Sequence, residues 1–336
     1  MNNNSCVVST RVRLARNLEG YPFPSHLKDE RQAKEIIRLV AAALSRLEEF
    51  RLYNMDAISK EKALSLKENH LISPNLISNK RISAALINQE ESVSVMINEE
   101  DHLREQCIVK GLDLRLAYET MSEIDGCISR AMKFAYDEQL GYLTACPTNL
   151  GTGMRASVMM FLPAITMVGK MPEVIRRISP KGLTVRGIYG EGSQAEGYMY
   201  QISNEITLGV SEEEILSRVD EFVGKICALE EVERRSLANG ANSLELRDEC
   251  MRAYGILTNC AKLSTEELIR LSACVKLGAC LGFFEIDDVS QIDDLVVKMR
   301  PSNINSAAER ELSPLERDVY RAQYTGKYLK KIFQNK

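Results

Sequence analysis

The chain has 336 residues, which is long for a single compact core and predicts two domains. Its 45% hydrophobic and 27% charged residues are typical of a globular protein, and its net charge of -4 argues against a nucleic-acid partner. The sequence contains no apolar run of membrane-spanning length and no signal-peptide layout, and its nine cysteines form no C-x-x-C pair. We therefore expect a reduced, cytoplasmic protein that binds neither membranes nor nucleic acid.

Strand and helix patterns mix in the first part of the chain. In order, the predicted elements are a strand over residues 9–17, a helix over 36–47, strands over 82–87 and 93–97, a helix over 114–128, strands over 184–189 and 199–202, and a helix over 211–226. The last helix begins with a capping box, Ser211 with Glu214. The glycine-rich connection 190–197 should be mobile. Hairpin-like strand pairs with helices predict an α+β fold with a mainly antiparallel sheet flanked by helices.

The second part of the chain has almost no strand signal. Two further capping boxes begin at Ser264 and at Ser313, the latter with a proline at the first helical position. We therefore predict a catalytic domain over residues 1–237 and a helical C-terminal domain over residues 238–336.

The segment from Cys146 to Val158 is the most informative one for chemistry. It places a thiol before a turn with two glycines and puts Arg155 just inside a helix that we expect to follow. A helix N-terminus stabilises a thiolate and attracts a phosphate, and an arginine adds a bidentate phosphate clamp. Taken alone, the segment is better explained by a buried structural cysteine before a helix.

Two other patterns add charge of both signs. Arg11 and Arg13 alternate as strand residues do, so both can face one side and grip a triphosphate, although a solvated basic strand is the common meaning of such a pair. Glu100 lies in a run of three acids after a predicted strand, either as part of a polar turn or as a carboxylate for a guanidinium.

The Cys146 segment resembles the active-site cysteine signature of the guanidino (phosphagen) kinases, which phosphorylate arginine- or creatine-type guanidinium groups with ATP. The strings at residues 9–17, 69–74, 98–104 and 186–192 resemble further motifs of that family. The resemblance implies three catalytic residues: Glu100, Glu191 and Cys146. It implies a larger nucleotide-binding set: Ser9, Thr10, Arg11, Val12, Arg13, His70, Arg104, Arg155, Ala156, Ser157, Val158, Met159, Arg186, Gly187, Ile188, Tyr189, Gly190 and Glu191.

These assignments are chemically coherent. A guanidinium has a pKa above ~12 and is a poor nucleophile until a proton is drawn off, which two carboxylates can do. Arginines would neutralise the transferring phosphoryl group, and Mg²⁺ would bridge the ATP phosphates without a dedicated protein metal site. The sequence has no P-loop and none of the motifs of ordinary protein kinases.

Within the superfamily, the chain resembles the bacterial protein-arginine kinases of the McsB type. Eight residues precede Ser9, so we expect no counterpart of the helical domain that encloses free arginine or creatine in small-molecule phosphagen kinases. The resemblance implies phosphorylation of protein arginines on a CtsR-like repressor and on misfolded proteins, delivery to a ClpC–ClpP protease, an activator of the McsA type and a homodimer. A free-arginine phosphagen kinase and a silent phosphoarginine-binding adaptor are the alternatives.

A last motif follows the Ser313 cap. Arg317 and Arg321 are four residues apart on one predicted helix face, with Asp318 placed to brace Arg321. On spacing alone, a solvated helix face with weak ion pairs is the better explanation. The resemblance implies an allosteric phosphoarginine site formed by the motif residues Arg317, Asp318, Val319, Tyr320, Arg321 and Ala322.

Overall fold

The structure is a computed structural model, and it describes residues 6–187 and 196–333. Its main feature is an eight-stranded sheet in the order β2-β3-β4-β5-β1-β8-β10-β9, in which every pairing is antiparallel. The strands of this sheet are β1 Val7–Arg16, β2 Phe50–Asn54, β3 Ala84–Asn88, β4 Val93–Ile97, β5 Leu103–Lys110, β8 Met154–Phe161, β9 Leu183–Gly187 and β10 Met199–Asn204. A small hairpin joins β6 Tyr136–Asp137 to β7 Gly141–Tyr142. The predicted α+β class with an antiparallel sheet is confirmed.

Helices cover one face of the sheet, pack on part of the other face, and form the second part of the chain. They are α1 Glu30–Leu44, α2 Lys60–Glu68, α3 Pro74–Ser78, α4 Leu114–Ala131, α5 Pro163–Met167, α6 Met171–Ile178, α7 Glu212–Asn239, α8 Ser243–Asn259, α9 Thr265–Cys280, α10 Ser290–Lys298, α11 Pro301–Ala307 and α12 Pro314–Phe333. None of the helices in the described ranges is long and apolar enough to span a membrane.

The side-chain alternation of β1 explains the two faces of the sheet. Val12 and Leu14 are buried in the main core with apolar residues of α1, α4 and α7. Arg11 and Arg13 have the opposite parity, so they lie on the face that these helices leave uncovered. The sheet therefore combines the main core on one face with an arginine-bearing surface on the other, where smaller apolar clusters form with α2 and α3 and with α8 and α9.

Helix starts follow the capping signals in the sequence. The Ser211 hydroxyl accepts from the Glu214 N–H while the Glu214 carboxylate accepts from the Ser211 N–H, which confirms the predicted capping box. Ser313 and Glu316 make the same reciprocal pair before α12. The division into domains at residues 237/238 stays a prediction, and α7 runs through that point.

One local prediction was wrong. No long helix follows Cys146: a three-residue 3-10 turn, Pro147–Asn149, is followed by β8, and Arg155 lies on that strand. The reason is a period of two in the sequence, because Met154, Ala156 and Val158 are fully buried in the core and the residues between them face the other side.

Candidate active site

Five arginines, Arg11, Arg13, Arg104, Arg155 and Arg186, form what we call the arginine cluster. Strand pairing brings most of them together: Arg13 lies directly opposite Arg155 on β8, and Ala15, on the same face of β1, lies opposite Arg104 on β5. Arg186 lies on β9 at the edge of the sheet. The cluster is thus assembled from four strands that are far apart in the sequence.

The arginine cluster is electrostatically unbalanced. Burial, followed by the positive charges of Arg104 and Arg155, lowers the pKa of Arg11 to about 10. Burial and then the charge of Arg11 hold the pKa of Arg13 well below its usual value. The buried Arg13 Nε has no hydrogen-bond partner in the described part of the chain. Because a desolvated, unpaired cation costs free energy, the cluster is suited to bind a polyanion.

Glu99 supplies a counter-charge at one edge of the cluster. A carboxylate oxygen of Glu99 lies 3.2 Å from Arg104 Nη1, and its side chain is 1% exposed. The hydroxyl of Ser73, which also caps α3, donates to the same carboxylate. Glu99 therefore fixes the direction of Arg104, a role that the sequence analysis did not assign to it.

Glu100 and Asp101 follow Glu99 in the acid loop, residues 98–102, but their side chains have different surroundings. Asp101 is buried, and one of its carboxylate oxygens accepts from Asn17 Nδ2 and from the Ala145 N–H, both at 2.6 Å. Glu100 is exposed, and desolvation, followed by the charges of Asp101 and Glu99, raises the pKa of its carboxyl group. Asp101 thus joins the acid loop to the segment before Cys146 and leaves Glu100 available to a substrate.

Cys146 begins the cysteine loop, residues 146–151. Its side chain is half-buried, with Sγ 3.0 Å from the Thr148 hydroxyl. A 3-10 turn and β8 follow Cys146 in place of the predicted helix, so an α-helix macrodipole does not act on this thiol. The nearby charge is that of Arg155, whose own pKa is lowered by burial, then by Arg186, with Cys146 acting in the opposite direction.

The cysteine loop is held rigidly against the end of β10. The Thr207 hydroxyl donates to the carbonyls of Thr148 and Leu150 at 3.0 and 2.7 Å. Gly151 has φ +107°, and a Cβ at this position would lie 2.2 Å from the Thr207 carbonyl oxygen. Only glycine fits this close backbone approach.

His70 lies on the other side of the cluster. It has a left-handed backbone, φ 61°, and its carbonyl accepts from Gln106 Nε2 at 2.7 Å, which attaches it to the sheet. The residue is exposed at the rim of a cleft, yet the cleft walls remove part of the hydration of its ring. This desolvation, with the charges of Arg11 and Arg300, lowers the pKa of His70 to about 4, so its imidazole is neutral at neutral pH.

The remaining predicted nucleotide residues divide into three groups. Ser9, Ser157 and Met159 lie on the face of the arginine cluster. The side chains of Thr10, Val12, Ala156 and Val158 are fully buried on the other face, so they can reach a ligand only through their backbone. Gly187 ends β9, whereas Ile188, Tyr189, Gly190 and the second predicted catalytic glutamate, Glu191, lie outside the described residues.

The predicted phosphoarginine motif lies on α12. Arg321 is 1% exposed and donates to the carbonyls of Met299 and Leu263 and to Asp318, at 3.0, 2.7 and 2.6 Å. Arg317 is half-buried and donates to the Leu312 carbonyl at 2.6 Å. Asp318 does brace Arg321, as predicted, but Arg321 is used mainly to hold α12 against neighbouring segments. Among the other motif residues, Val319 and Tyr320 are half-buried and Ala322 is buried.

Comparison with known proteins identifies the family. The model of the ATP:guanido phosphotransferase C-terminal catalytic domain matches residues 32–233, and the model of the protein-arginine kinase McsB C-terminal domain matches residues 243–336. The chain is 41% identical over 330 residues to the protein-arginine kinase of Caldanaerobacter subterraneus, covering 97% of each chain. It is 41% identical over 325 residues to that of Geobacillus stearothermophilus, covering 95% of this chain and 89% of the relative.

The structure of this chain is similar to solved structures of phosphagen kinases. Lombricine kinase matches with a TM-score of 0.61 at 25% identity, covering 70% of this chain and 68% of that one. The duplicated taurocyamine kinase of Schistosoma mansoni, with bound transition-state analogue components, matches with a TM-score of 0.63 at 27% identity, covering 80% of this chain and 39% of that one. The chain therefore belongs to the protein-arginine kinase family and is an ATP-dependent guanidino phosphotransferase.

Proposed function

We propose that this chain transfers the γ-phosphoryl group of ATP to the guanidino group of arginine side chains in proteins. The observation that carries the proposal is the arginine cluster, in which burial and like charge lower the pKa values of Arg11, Arg13 and Arg155 beside the acid loop and the cysteine loop. A nucleotide triphosphate would satisfy the unpaired donors and relieve the repulsion. The acid loop would meet the positively charged acceptor.

The proposed reaction is a direct transfer. A guanidino nitrogen attacks the γ-phosphorus, an N–P bond forms, and the bond between the γ-phosphorus and the bridging oxygen of ADP breaks. The proton lost by the guanidinium goes to Glu100, whose raised pKa suits it to accept one. Glu191 is proposed as the second carboxylate and Cys146 as a group that orients the guanidinium without becoming phosphorylated.

ATP is proposed to arrive with Mg²⁺ already bound to its phosphates. Within the described ranges, no group of three or more histidine, cysteine, aspartate or glutamate residues could hold a metal ion. The side chains of the arginine cluster are cationic and do not ligate a metal ion, so phosphate oxygens and waters would be the Mg²⁺ ligands. When bound, the ion would withdraw charge from the β- and γ-phosphates.

We also propose the finer biological role that the family resemblance implies. Phosphorylated misfolded proteins would be passed to a ClpC–ClpP protease, and phosphorylation of a CtsR-like repressor would inactivate it. A McsA-type activator, a homodimer and a cytoplasmic location belong to the same proposal. Recovery of phosphoarginine-bearing proteins with this kinase and the protease from cells would test it.

The central experiment separates three functions in one measurement. The protein is incubated with Mg²⁺ and ATP and either an unfolded protein or free arginine, and ³¹P NMR is used to detect a P–N bond. We expect the signal with the protein acceptor. A signal only with free arginine would indicate a small-molecule phosphagen kinase, and phosphoarginine binding without any transfer would indicate an adaptor.

A further inference from the structure

A cavity of about 320 Å³ lies between the sheet and the C-terminal helices, next to the arginine cluster. Its sheet side includes Ser9, His70 and Met159, and its other side is formed by α9 and α10. The volume is at the lower end of the range for small-molecule sites. The cavity is thus shared between the catalytic part of the chain and a part that the ATP:guanido phosphotransferase model does not match.

The position of the cavity relative to the arginines suits a nucleotide. Ser9 lies opposite Met159 in the pairing of β1 with β8, and Arg11, two residues along β1, lies opposite Ser157. A strand rises ~3.3 Å per residue, so the cavity ends within ~7 Å of the first arginine of the cluster. A base held in the cavity would place its phosphates over Arg11 and Arg13.

The walls of the cavity are mostly apolar, and one of their buried side-chain polar atoms has no hydrogen-bond partner in the described part of the chain. Ile108, Phe161 and Ile292 line it together with other apolar side chains. Ser272 of α9 also lines it, is 2% exposed, and its Oγ has no hydrogen-bond partner among the residues that the structure describes. A buried hydroxyl without a partner costs free energy, which a ligand would recover.

The charged groups of the C-terminal wall, in contrast, are already paired. Lys276 Nζ lies 2.7 and 2.6 Å from the two carboxylate oxygens of Asp293 and 4.5 Å from the centre of the Phe161 ring. On the rim, Lys110 of β5 pairs with Asp294 of α10 at 2.8 Å. The Lys276–Asp293 pair joins α9 to α10, and the Lys110–Asp294 pair holds the C-terminal wall against the sheet. Among the described residues that line the cavity, Ser272 Oγ is the buried polar atom without a hydrogen-bond partner.

We propose that α9 and α10 form one wall of the pocket for the nucleotide base and that the Ser272 hydroxyl of α9 hydrogen-bonds to the edge of the base. The inference rests on the proposed kinase function. It assigns one wall of the nucleotide site, and a specificity-determining residue, to the C-terminal helices. Nucleotide selectivity then depends on how these helices sit against the sheet.

The first test measures binding of three probes by calorimetry with saturating Mg²⁺: ATP, tripolyphosphate, and ATP analogues that each lack one polar group of the base. We expect Ser272→Ala to weaken ATP binding about 3- to 10-fold, as for the loss of one hydrogen bond, and to leave tripolyphosphate binding unchanged. The variant should also lose the preference for ATP over one of the analogues. KM for ATP should rise while kcat and KM for the acceptor stay the same.

Two further variants make the test decisive. Ser306→Ala makes the same chemical change at an exposed serine of α11 and should have no effect. Val297→Phe adds bulk at a half-buried position on the cavity wall and should weaken ATP at least tenfold without affecting tripolyphosphate.

The possible failures are distinguishable. Unchanged ATP affinity and analogue preference in both Ser272→Ala and Val297→Phe, in an active kinase, would overturn the inference and leave the proposed function intact. Equal weakening of ATP and tripolyphosphate would overturn it as well, because the effect would then be structural. A wild-type protein that neither binds ATP nor transfers phosphate would overturn the proposed function itself.

Discussion

The arginine cluster of the sheet and the arginines of α12 differ in whether their guanidinium groups have hydrogen-bond partners. Arg321 is almost fully buried, but its guanidinium donates to two carbonyls and a carboxylate. Arg13 has like-charged neighbours and a buried Nε with no partner in the described part of the chain. An arginine whose donors are used stabilises the fold, whereas one whose donors are unused is prepared for an anionic ligand.

The same contrast exists along a single strand. Arg16 of β1 points to the core side, where it pairs with Asp125 at 2.9 Å and lies 3.5 Å from the centre of the Tyr142 ring. It also donates to the Thr152 carbonyl at 2.9 Å, just before β8. Arg16 therefore anchors the hairpin and the segment between the cysteine loop and β8, while Arg11 and Arg13 remain available to a ligand.

The two regions are also physically connected. Arg321 donates a hydrogen bond to the Met299 carbonyl, just before α11. At the N-terminus of α11, the backbone N–H groups of Ser302 and Asn303 donate to the Glu68 carboxylate at 2.8 and 3.1 Å. His70 follows Glu68 by two residues and borders the cavity between the sheet and the C-terminal helices. We propose that a phosphoarginine group bound at the predicted motif of α12 would act on this cavity through α11.

The largest expected effect concerns the acid loop. Glu100→Gln should reduce kcat about 10²- to 10⁴-fold, the usual contribution of general acid–base catalysis, because the amide cannot accept the guanidinium proton. ATP affinity should be nearly unchanged, since Glu100 is not a phosphate ligand. Single-turnover kinetics with a protein acceptor and calorimetry with ATP check both parts. Glu90→Gln, at an exposed turn far from the cluster, is the control, and equal kcat in the two variants would remove Glu100 from the mechanism.

The next largest effect should be structural. Arg321→Ala should lower the free energy of unfolding by about 3 kcal/mol, because it removes a partly buried pair with Asp318 and leaves two carbonyls without their donor. Arg317→Ala should lower it by less than about 1 kcal/mol, since this residue makes a single bond near the surface. Urea titrations of both variants give the comparison. Similar stabilities would mean that Arg321 is free to serve as a ligand.

Local signals explain which elements could be predicted from the sequence. The pairs β3–β4 and β9–β10 and the starts of α7 and α12 follow from alternation and capping within a few residues. The strand β8 was missed because its glycine-rich approach and Arg155 suggested a helix N-terminus. The alternating burial of Met154, Ala156 and Val158 was the signal that distinguishes a strand.

The assembly of the site depends on contacts that a linear sequence does not show. Arg104 meets the cluster only because β5 pairs with β1, and Arg155 because β1 also pairs with β8. Asp101 connects to Ala145 across 44 positions, so its positioning role could not be separated from those of Glu99 and Glu100 by spacing. The family resemblance grouped the arginines, whereas the Glu99 and Asp101 contacts required the structure.

A pH experiment tests a buried titratable group whose hydrogen bonds are all made, the imidazole of His102. His102 is fully buried, its Nδ1 accepts from the Leu18 N–H, and its Nε2 lies 3.0 Å from the Pro22 carbonyl. Burial lowers the pKa of His102 to about 4, below its unfolded value of ~6.5. Between these values the unfolded chain binds a proton that the native ring does not, so stability from this residue is present above pH ~6.5 and is lost as pH falls towards 4.

The measurable consequence is a loss of about 2 kcal/mol from His102 between pH 7 and pH 5. Urea titrations at the two pH values should show a smaller loss for His102→Gln than for the wild type. His26→Gln replaces an exposed histidine and should follow the wild type. Parallel behaviour of all three proteins would mean that folding does not lower the pKa of His102.

The smallest expected effect tests most directly the comparison between buried arginines with and without hydrogen-bond partners. Arg13→Gln removes one charge from the arginine cluster, so ATP affinity should fall about tenfold, while the four remaining arginines still hold the phosphates. Stability without nucleotide should not fall, and we expect the melting temperature to stay level or rise, because a desolvated cation repelled by Arg11 is lost. Thermal melts with and without ATP separate the two effects. Arg16→Gln on the same strand is the matched control, and it should lower the melting temperature both with and without ATP. Loss of stability in the Arg13 variant without nucleotide would show that its charge is already satisfied, and the distinction between the two kinds of arginine would no longer hold.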